Sequence, residues 1–138
     1  SDLMAEILLA HPELLDGLVE LGVTLTVLSN KPDDFTRLAV DKLLARWSFA
    51  EVRGVRDGVP PKPDPAGLEA LLAGFAWPKE RWLYIGDSNI DIRTAKAGGL
   101  TSVGVLWGFR DREELAAEGA THLVAEPREI LALARGDA

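Results

Sequence analysis

The sequence predicts an α/β fold, in which a parallel sheet carries helices on both faces. Amphipathic helical segments alternate along the chain with short runs of β-branched and other apolar residues, which is typical of βαβ units. The apolar runs have the length of strands, and none reaches the length of a membrane span. The chain has 138 residues, enough to bury a hydrophobic core. We therefore expect residues 1–138 to form a single domain.

Six segments have the apolar spacing of amphipathic helices. In the first of them Pro12 suits an initial helical position and Gly22 suits a C-terminal stop. Asp111 is a candidate N-cap for the fifth helix, and Pro127 suits the start of the sixth. The predicted helices cover residues 12–21, 33–46, 66–74, 89–98, 111–119 and 127–135.

Five segments rich in β-branched and apolar residues separate these helices and are predicted strands. A loop dense in proline and glycine, residues 55–65, follows the second strand. In parallel sheets ligands bind at the carboxyl ends of the strands. We therefore expect function to gather at Ser29–Asn30, near Lys62 and at Asp87–Asp91. The predicted strands cover residues 23–29, 48–54, 81–86, 101–108 and 121–125.

Composition excludes several classes of protein. The chain has no cysteine, which removes disulfides, thiolate catalysis and cysteine-bound metals. The net charge of -7 argues against a nucleic-acid binder, which needs a basic face. The two histidines, His11 and His122, do not have the spacing of metal ligands. No basic leader opens the sequence, so we expect a cytoplasmic protein without a membrane partner.

Two of the three predicted strand ends or loops offer groups that suit an anion. The stretch "LSNKP", residues 28–32, places the Ser29 hydroxyl and backbone N–H groups before a helix, where a phosphate could bind. The alternative is that Ser29 caps the helix. The stretch "PPKPDP" holds Lys62 between prolines that could direct its ammonium inward. The alternative is a solvent-exposed loop lysine.

The third strand end, "YIGDSNID", carries two carboxylates four residues apart, Asp87 and Asp91. Asp87 comes directly after the strand and Asp91 lies one helical turn further, so both can face one point. Carboxylate oxygens in that arrangement suit Mg²⁺, which binds one or two carboxylates together with a substrate phosphate. The alternative is that Asp87 is an N-cap and Asp91 stabilises the first helical turn.

Together these three motifs resemble those of the haloacid dehalogenase superfamily. Ser29-Asn30-Lys31, Lys62-Pro63-Asp64-Pro65 and Gly86-Asp87-Ser88 with Asp91 are similar to the second, third and fourth motifs of that superfamily, in order. The similarity is strongest to phosphoglycolate phosphatase-like members. It covers residues from about 12 to 135, including the segment after Val103.

The resemblance implies a fold, an activity and residue roles. The fold would be a three-layer, Rossmann-like parallel sheet, and the activity Mg²⁺-dependent hydrolysis of a small phosphorylated metabolite through an aspartyl-phosphate. Ser29 and the Asn30 backbone would hold the phosphate. Lys62 would neutralise the phosphate and the nucleophile as a catalytic residue. Asp87 would bind Mg²⁺, with Asp91 and Ser88 in support.

The nucleophile that this chemistry requires is not in the sequence. The superfamily carries it in an Asp-x-Asp motif after an apolar strand, and residues 1–138 contain no such pair in that setting. The helical cap of the subfamily is absent too. We therefore expect the C-terminal part of a phosphatase core that is inactive alone. The alternative is a non-catalytic phosphate-binding, Mg²⁺-binding or interaction module derived from that fold.

In the superfamily fold the missing strand is the central one, between the strands equivalent to 23–29 and 81–86. Two outcomes are open. The two neighbouring strands could close up and pair directly, or another strand could fill the gap, donated by residues 1–10, by a second copy or by a separate polypeptide. We expect filling by another chain, because "MAEILLA", residues 4–10, contains residues that favour a helix.

Overall fold

The computed structural model describes residues 10–108 and 111–136. Helices and strands alternate along this part of the chain, as predicted. A short 3₁₀ turn, Lys79–Arg81, precedes the third strand. The helices are α1 Pro12–Glu20, α2 Asp33–Leu43, α3 Ala66–Leu72, α4 Asn89–Ala97, α5 Arg112–Ala117 and α6 Pro127–Arg135. The strands are β1 Thr26–Pro32, β2 Glu51–Val55, β3 Leu83–Gly86, β4 Thr101–Val105 and β5 His122–Val124.

The strands form two parallel groups. One group contains β1 and β2, and the other contains β3, β4 and β5 in that order. Among the described residues β1 and β3 are not hydrogen-bonded to each other, so direct closure of the gap between them is not observed. The α/β class and the parallel pairing are thus confirmed.

Helices cover both faces of the sheets, and β3 shows how the faces are divided. Leu83 and Ile85 pack against a core cluster formed with α1 and α6, whose centre includes Leu14 and Ile130. Tyr84, between them, belongs to a second cluster on the other face, together with residues of α3 and α4. This alternation is the two-residue period of a strand that is covered on both sides.

The boundary between the two strand groups is a groove of about 320 Å³. Apolar side chains from β1, β3 and the flanking helices α2 and α3 line most of it. Phe35 and Leu43 of α2 line this groove, and they are 48% and 45% exposed. The groove lies where the sequence predicts a missing strand.

Several predicted boundaries differ from the structure. The sequence predicts that the first strand ends at Ser29, but β1 continues to Pro32, and its pairing with β2 shifts register between Leu28 and Pro32. The predicted strand 101–108 is shorter, because β4 ends at Val105. The N-cap at Asp111 is confirmed, since its carboxylate accepts the Glu114 N–H at 2.9 Å. No helix in the described ranges is long and apolar enough to cross a bilayer.

Candidate active site

The carboxyl-terminal part of β1 presents Ser29 and Asn30. Ser29 is 8% exposed, and its hydroxyl oxygen accepts a hydrogen bond from the Lys31 backbone N–H at 3.0 Å. The hydroxyl proton remains able to donate to an anion. The Asn30 side chain makes two hydrogen bonds with the Lys62 backbone. Its Nδ2 donates to the Lys62 carbonyl oxygen at 3.0 Å, and its Oδ1 accepts the Lys62 N–H at 2.8 Å. This pair of bonds fixes the proline-rich loop against β1.

Lys62 crosses the gap between the two groups of strands. Its side chain is 9% exposed, and its ammonium donates to the Leu28 carbonyl oxygen at 3.3 Å and to Asp91 Oδ1 at 2.8 Å. Leu28 lies in β1, and Asp91 lies in the first turn of α4, directly after β3. The carboxyl ends of β1 and β3 therefore point to the same edge. An ammonium has three N–H donors, so one remains for a ligand.

Asp91 is the centre of the hydrogen-bond network. Its Oδ1 accepts from Lys62 and from the Tyr84 hydroxyl at 3.5 Å. Its Oδ2 accepts from the Asp87 backbone N–H at 3.3 Å and from the Ser88 hydroxyl at 3.1 Å. Burial alone would raise the pKa of Asp91, but the charge of Lys62 and the hydrogen bonds from Lys62 and Ser88 hold it below its usual value. Both oxygens are thus occupied by donors of the protein, and the carboxylate is well placed to orient Lys62.

Asp87 differs from Asp91 in the direction in which its surroundings shift its pKa. It is 4% exposed, and its backbone N–H donates to Asp91 Oδ2 at 3.3 Å. Burial and the nearby charge of Asp91 raise the pKa of Asp87, and Lys62 opposes this only in part. A buried carboxylate that is not neutralised by a direct ion pair is costly. A divalent cation at Asp87 would relieve that cost, so the residue fits the Mg²⁺ that the sequence predicts.

Gly86 allows this network to form. A Cβ at this position would lie 2.3 Å from Cβ of Asp91 and 2.6 Å from its Oδ2. Any larger residue would push α4 away from β3. The glycine before Asp87 is therefore required by the close approach of the helix that carries Asp91.

The structure bears on the alternatives that the sequence left open. The N-cap of α4 is Ser88, whose hydroxyl oxygen accepts the Asp91 N–H, so Asp87 is not the N-cap, whereas Asp91 does lie in the first helical turn. The N-cap of α2 is Pro32, so Ser29 is not a helix cap. Lys62 is buried against Asp91, so the exposed-loop alternative is wrong as well.

The sequence analysis missed two groups that take part in the hydrogen-bond network of Asp91 and Lys62. The Tyr84 hydroxyl reaches Asp91, and burial together with the charge of Asp91 raises the Tyr84 pKa. Tyr84 precedes Gly86 by two residues, so the period of a strand could have placed both on the face towards α4. The second group is the Leu28 carbonyl oxygen, which accepts a hydrogen bond from Lys62. Every residue has a backbone carbonyl, so no residue type in the sequence indicates this contact.

Asp87 and Asp91, the two predicted metal-binding carboxylates, differ in how far they are engaged by donors of the protein. Asp87 offers a buried carboxylate, whereas Asp91 is engaged by four donors. In residues 10–108 and 111–136 no group of three or more histidine, aspartate or glutamate side chains is placed to hold a metal ion.

The family model and the curated relatives that match this chain belong to one family of proteins. The model of a family described as haloacid dehalogenase-like hydrolase matches residues 6–105. A phosphoglycolate phosphatase of Pseudomonas fluorescens is 29% identical over 129 residues, 91% of this chain and 47% of that protein. A phosphoglycolate phosphatase of Rhodospirillum rubrum is 36% identical over 107 residues, 78% of this chain and 44% of that protein. The chain thus spans less than half the length of these two relatives.

Solved structures show the same architecture. A protein from Lactobacillus delbrueckii superposes with a TM-score of 0.81 at 33% identity, covering 88% of this chain and 51% of the other. A predicted phosphoglycolate phosphatase from Haemophilus somnus superposes with a TM-score of 0.78 at 26% identity, covering 88% of this chain and 54% of the other. The two groups of strands therefore correspond to part of a larger, common fold.

Proposed function

Because this chain belongs to the haloacid dehalogenase-like hydrolase family, we propose that it forms the phosphate- and metal-binding part of a phosphatase core in the cytoplasm. The substrate is a small phosphorylated metabolite, in line with the phosphoglycolate phosphatases among its relatives. Residues 1–138 form one core domain, the C-terminal part of the complete core. The observation that carries this proposal is the position of Lys62, whose ammonium joins the end of β1 to Asp91.

Each residue has a role that its contacts support. The Ser29 hydroxyl and the Asn30 backbone N–H donate to the phosphate, and the third donor of Lys62 reaches the same group. Asp91 keeps the Lys62 ammonium in place, and Ser88 keeps Asp91 in place. Asp87 holds Mg²⁺, and Ser88 and Asp91 support it from the surrounding network. When bound, the metal supplies positive charge to the phosphoryl oxygens.

The chemical step needs an aspartate from outside residues 1–138. Its carboxylate oxygen forms a bond to phosphorus while the bond from phosphorus to the leaving alcohol oxygen breaks, and that oxygen takes up a proton. Water then hydrolyses the aspartyl-phosphate and releases inorganic phosphate. We expect the isolated chain to hydrolyse no p-nitrophenyl phosphate in the presence of Mg²⁺. Turnover that survives repurification and disappears in Asp87→Ala would contradict the proposal.

The binding half of the proposal can be tested without turnover. A titration with Mg²⁺, followed by amide chemical shifts, should move residues 86–91 first, with weak affinity because one acidic ligand is missing. Asp87→Asn should abolish these shifts. Asp57→Asn is the matched control, since Asp57 is exposed in the loop after β2. Shifts that appear elsewhere and not at residues 86–91 would refute the metal assignment.

Phosphate binding is the second readout. Inorganic phosphate should shift the amides of Ser29 and Asn30 in the presence of Mg²⁺. A Ser29→Ala, Lys62→Ala double variant should lose most of that affinity. An unchanged phosphate affinity would show that the anion binds elsewhere.

A further inference from the structure

Three aromatic side chains form a packed cluster at the surface, in the segment between α3 and β3. The rings of Phe75 and Trp77 are stacked, with an interplanar angle of 9° and centroids 5.6 Å apart. The Trp82 ring stands at a steep angle to both, with its centroid 5.3 Å from that of Phe75 and 6.0 Å from that of Trp77. Stacked and edge-to-face pairs at such distances are stabilising. We call Phe75, Trp77 and Trp82 the aromatic cluster.

The aromatic cluster is fixed to the core on one side and open to solvent on the other. Trp82 packs against the core cluster that contains Tyr84, and its indole N–H donates to the Trp77 carbonyl oxygen at 3.4 Å. Trp77 is 46% exposed, and its neighbours Ala76 and Pro78 are exposed as well. An anchored apolar surface of this kind is typical of protein–protein contacts, in which tryptophan contributes a large share of the binding energy.

The aromatic cluster lies at the edge of the sheet opposite the candidate site. Trp82 directly precedes β3 and Asp87 directly follows it, so about 16 Å of extended chain separates the two residues. Gly99, in the turn before β4, is at the same edge as the cluster, because a Cβ at this position would lie 3.6 Å from Cδ of Lys79. A partner bound to the aromatic cluster therefore leaves Asp87 and the phosphate-binding residues accessible.

Charged side chains of both signs surround the aromatic cluster. Lys79 forms an ion pair with Glu69 at 2.9 Å, in which the two side chains are 47% and 49% exposed. Glu80 and Arg81, the residues that follow Lys79, are exposed too. The charges of these two basic and two acidic residues cancel, whereas the whole chain carries a net charge of -7. Two copies of the chain repel each other on average, and at this neutral region they can approach.

We propose that the aromatic cluster is the contact surface of a reversible homodimer, in which the Trp77 rings of two copies pack together across a twofold axis. A twofold contact uses the same surface on both copies, so the surface must complement itself. Neighbouring charges of opposite sign meet this requirement, because Lys79 of one copy can face Glu69 or Glu80 of the other copy. The dimer does not depend on the proposed function.

The size of this surface sets the expected affinity. It consists of residues 73–82 with Gly99 beside them, whereas a standard interface uses about 20–30 residues on each side. We therefore expect a weak dimer, with a dissociation constant on the order of 100 µM. Analytical ultracentrifugation of the full chain from about 10 µM to about 1 mM should show the average mass rising from that of the monomer towards that of the dimer. A chain that stays monomeric over this range would overturn the proposal.

Two exposed aromatic residues provide a matched pair of substitutions. Trp77 is 46% exposed in the aromatic cluster, and Phe35 is 48% exposed on α2 at the groove between β1 and β3. Trp77→Ala should weaken dimerisation at least about tenfold, and Phe35→Ala should leave it unchanged. The reverse result would place the contact at the groove, and equal effects would indicate general apolar association. Both of these outcomes overturn the proposal.

Amide chemical shifts of the parent chain locate the contact without any substitution. Between about 50 µM and about 1 mM, residues 75–82 and Gly99 should shift with concentration, while residues 86–91 should not. Shifts confined to residues 26–29 and 33–43 would identify the groove as the contact surface and would overturn the proposal. Shifts of residues 75–82 that are independent of concentration would leave the aromatic cluster to a different protein, and they would overturn it too.

Reversal of one charge tests the twofold arrangement. Lys79→Glu makes the region acidic on both copies, so the dissociation constant should rise about tenfold at low salt. Addition of Glu69→Lys to this variant makes the region neutral again and should restore dimerisation. A single reversal that leaves the dissociation constant unchanged would overturn the proposal, because the charges of the two copies would then not face each other.

Discussion

The two groups of strands differ in how completely they are covered. In the group of β3, β4 and β5, the central strand has a neighbour on each side, and Val103 and Val105 are 0% exposed. In the group of β1 and β2, neither strand is central, and Ser29 is the one buried residue of β1. β4, which has a neighbour on each edge, is therefore the most completely buried strand among the described residues.

The candidate site is divided between these two groups. Asp87, Ser88 and Asp91 belong to the well-covered group and to the helix packed on it. Ser29 and Asn30 belong to the group of β1 and β2, which we call the open group. Lys62 is bonded to both, through Asn30 and Leu28 on one side and Asp91 on the other. Lys62 therefore joins the two halves of the candidate site, one on β1 and the other on α4 and the end of β3.

The largest expected effect comes from breaking the link between the two groups. Lys62→Met removes the ammonium and leaves the Asp91 carboxylate buried without a cation, which should lower the free energy of unfolding by about 3 kcal/mol near neutral pH. Without Lys62, burial would raise the Asp91 pKa above its unfolded value. A carboxyl group with a raised pKa loses stability as pH rises above its unfolded pKa, so the deficit should be larger at neutral pH than in acid. Urea denaturation at several pH values measures this.

A surface ion pair provides the control for that experiment. Lys79 donates to Glu69 at 2.9 Å, and the two side chains are 47% and 49% exposed. Lys79→Met should cost less than about 0.5 kcal/mol at any pH, because exposed pairs are screened by water and salt. Equal losses in the two variants would mean that Lys62 is not the link between the groups.

Most of the fold could be predicted from the sequence, because the periodicity of apolar residues and the positions of proline and glycine determine helices and strands locally. The six helices and five strands follow from this, and so does the grouping of the three motifs at one sheet edge. The end of β1 could not be predicted, because the run of β-branched and apolar residues stops at Leu28, whereas pairing of Pro32 with Val55 extends the strand. The role of the Asn30 side chain depends on a loop thirty-two residues away, and no local pattern shows it.

A matched pair of valines compares the two groups directly. Val103→Ala in β4 should lower the free energy of unfolding by about 2 kcal/mol, because the residue is fully buried and its neighbours cannot close the cavity. Val27→Ala in β1 should cost less than about 1 kcal/mol, because Val27 lines the open groove and is only partly buried.

Urea denaturation of the two variants beside the parent chain measures both costs. A cost of Val27→Ala that equals that of Val103→Ala would show that the open group is as well packed as the other.

Substitution of Asp33, at the start of α2, should have a smaller effect on the free energy of unfolding. Its carboxylate accepts the Gly54 N–H at 2.8 Å and bonds Arg37 at 2.9 Å, tying the start of α2 to β2. The hydrogen bonds from Arg37 and Gly54 lower its pKa from 3.8 to about 2. A lowered pKa contributes stability above the unfolded value, and this is lost as pH falls from about 4 towards 2. The contribution is about 1 kcal/mol after screening by solvent.

Asp33→Asn should therefore be less stable than the parent chain by about 1 kcal/mol at pH 7, and the difference should vanish near pH 2. Asp41→Asn, an exposed position on the same helix, is the control and should show a smaller difference. Thermal unfolding across this pH range provides the measurement. A difference that persists unchanged at pH 2 would show that the Asp33 charge is not what stabilises the junction of α2 and β2.

The smallest expected effect concerns Asn30, which holds the Lys62 loop against the open group. Its Oδ1 accepts the Lys62 N–H, and its Nδ2 donates to the Lys62 carbonyl. Both bonds are exposed to solvent, so Asn30→Ala should cost less than about 1 kcal/mol of global stability. The local effect should be larger than the global one, because the Lys62 amide loses its acceptor and opens to water more often. Its hydrogen exchange should accelerate about tenfold, which corresponds to roughly 1.4 kcal/mol of local opening free energy.

Asn30→Asp separates the two bonds. A carboxylate keeps the acceptor for the Lys62 N–H but loses the donor to the Lys62 carbonyl, so the Lys62 amide should stay protected in this variant while it exchanges freely in Asn30→Ala. The amide of Val103 in β4 serves as an internal reference that neither substitution should change. Equal exchange at Lys62 in both variants would mean that the loop is held by the contacts of the Lys62 ammonium alone. The two groups of strands would then be joined through Asp91 and Leu28, and Asn30 would serve the phosphate only through its backbone.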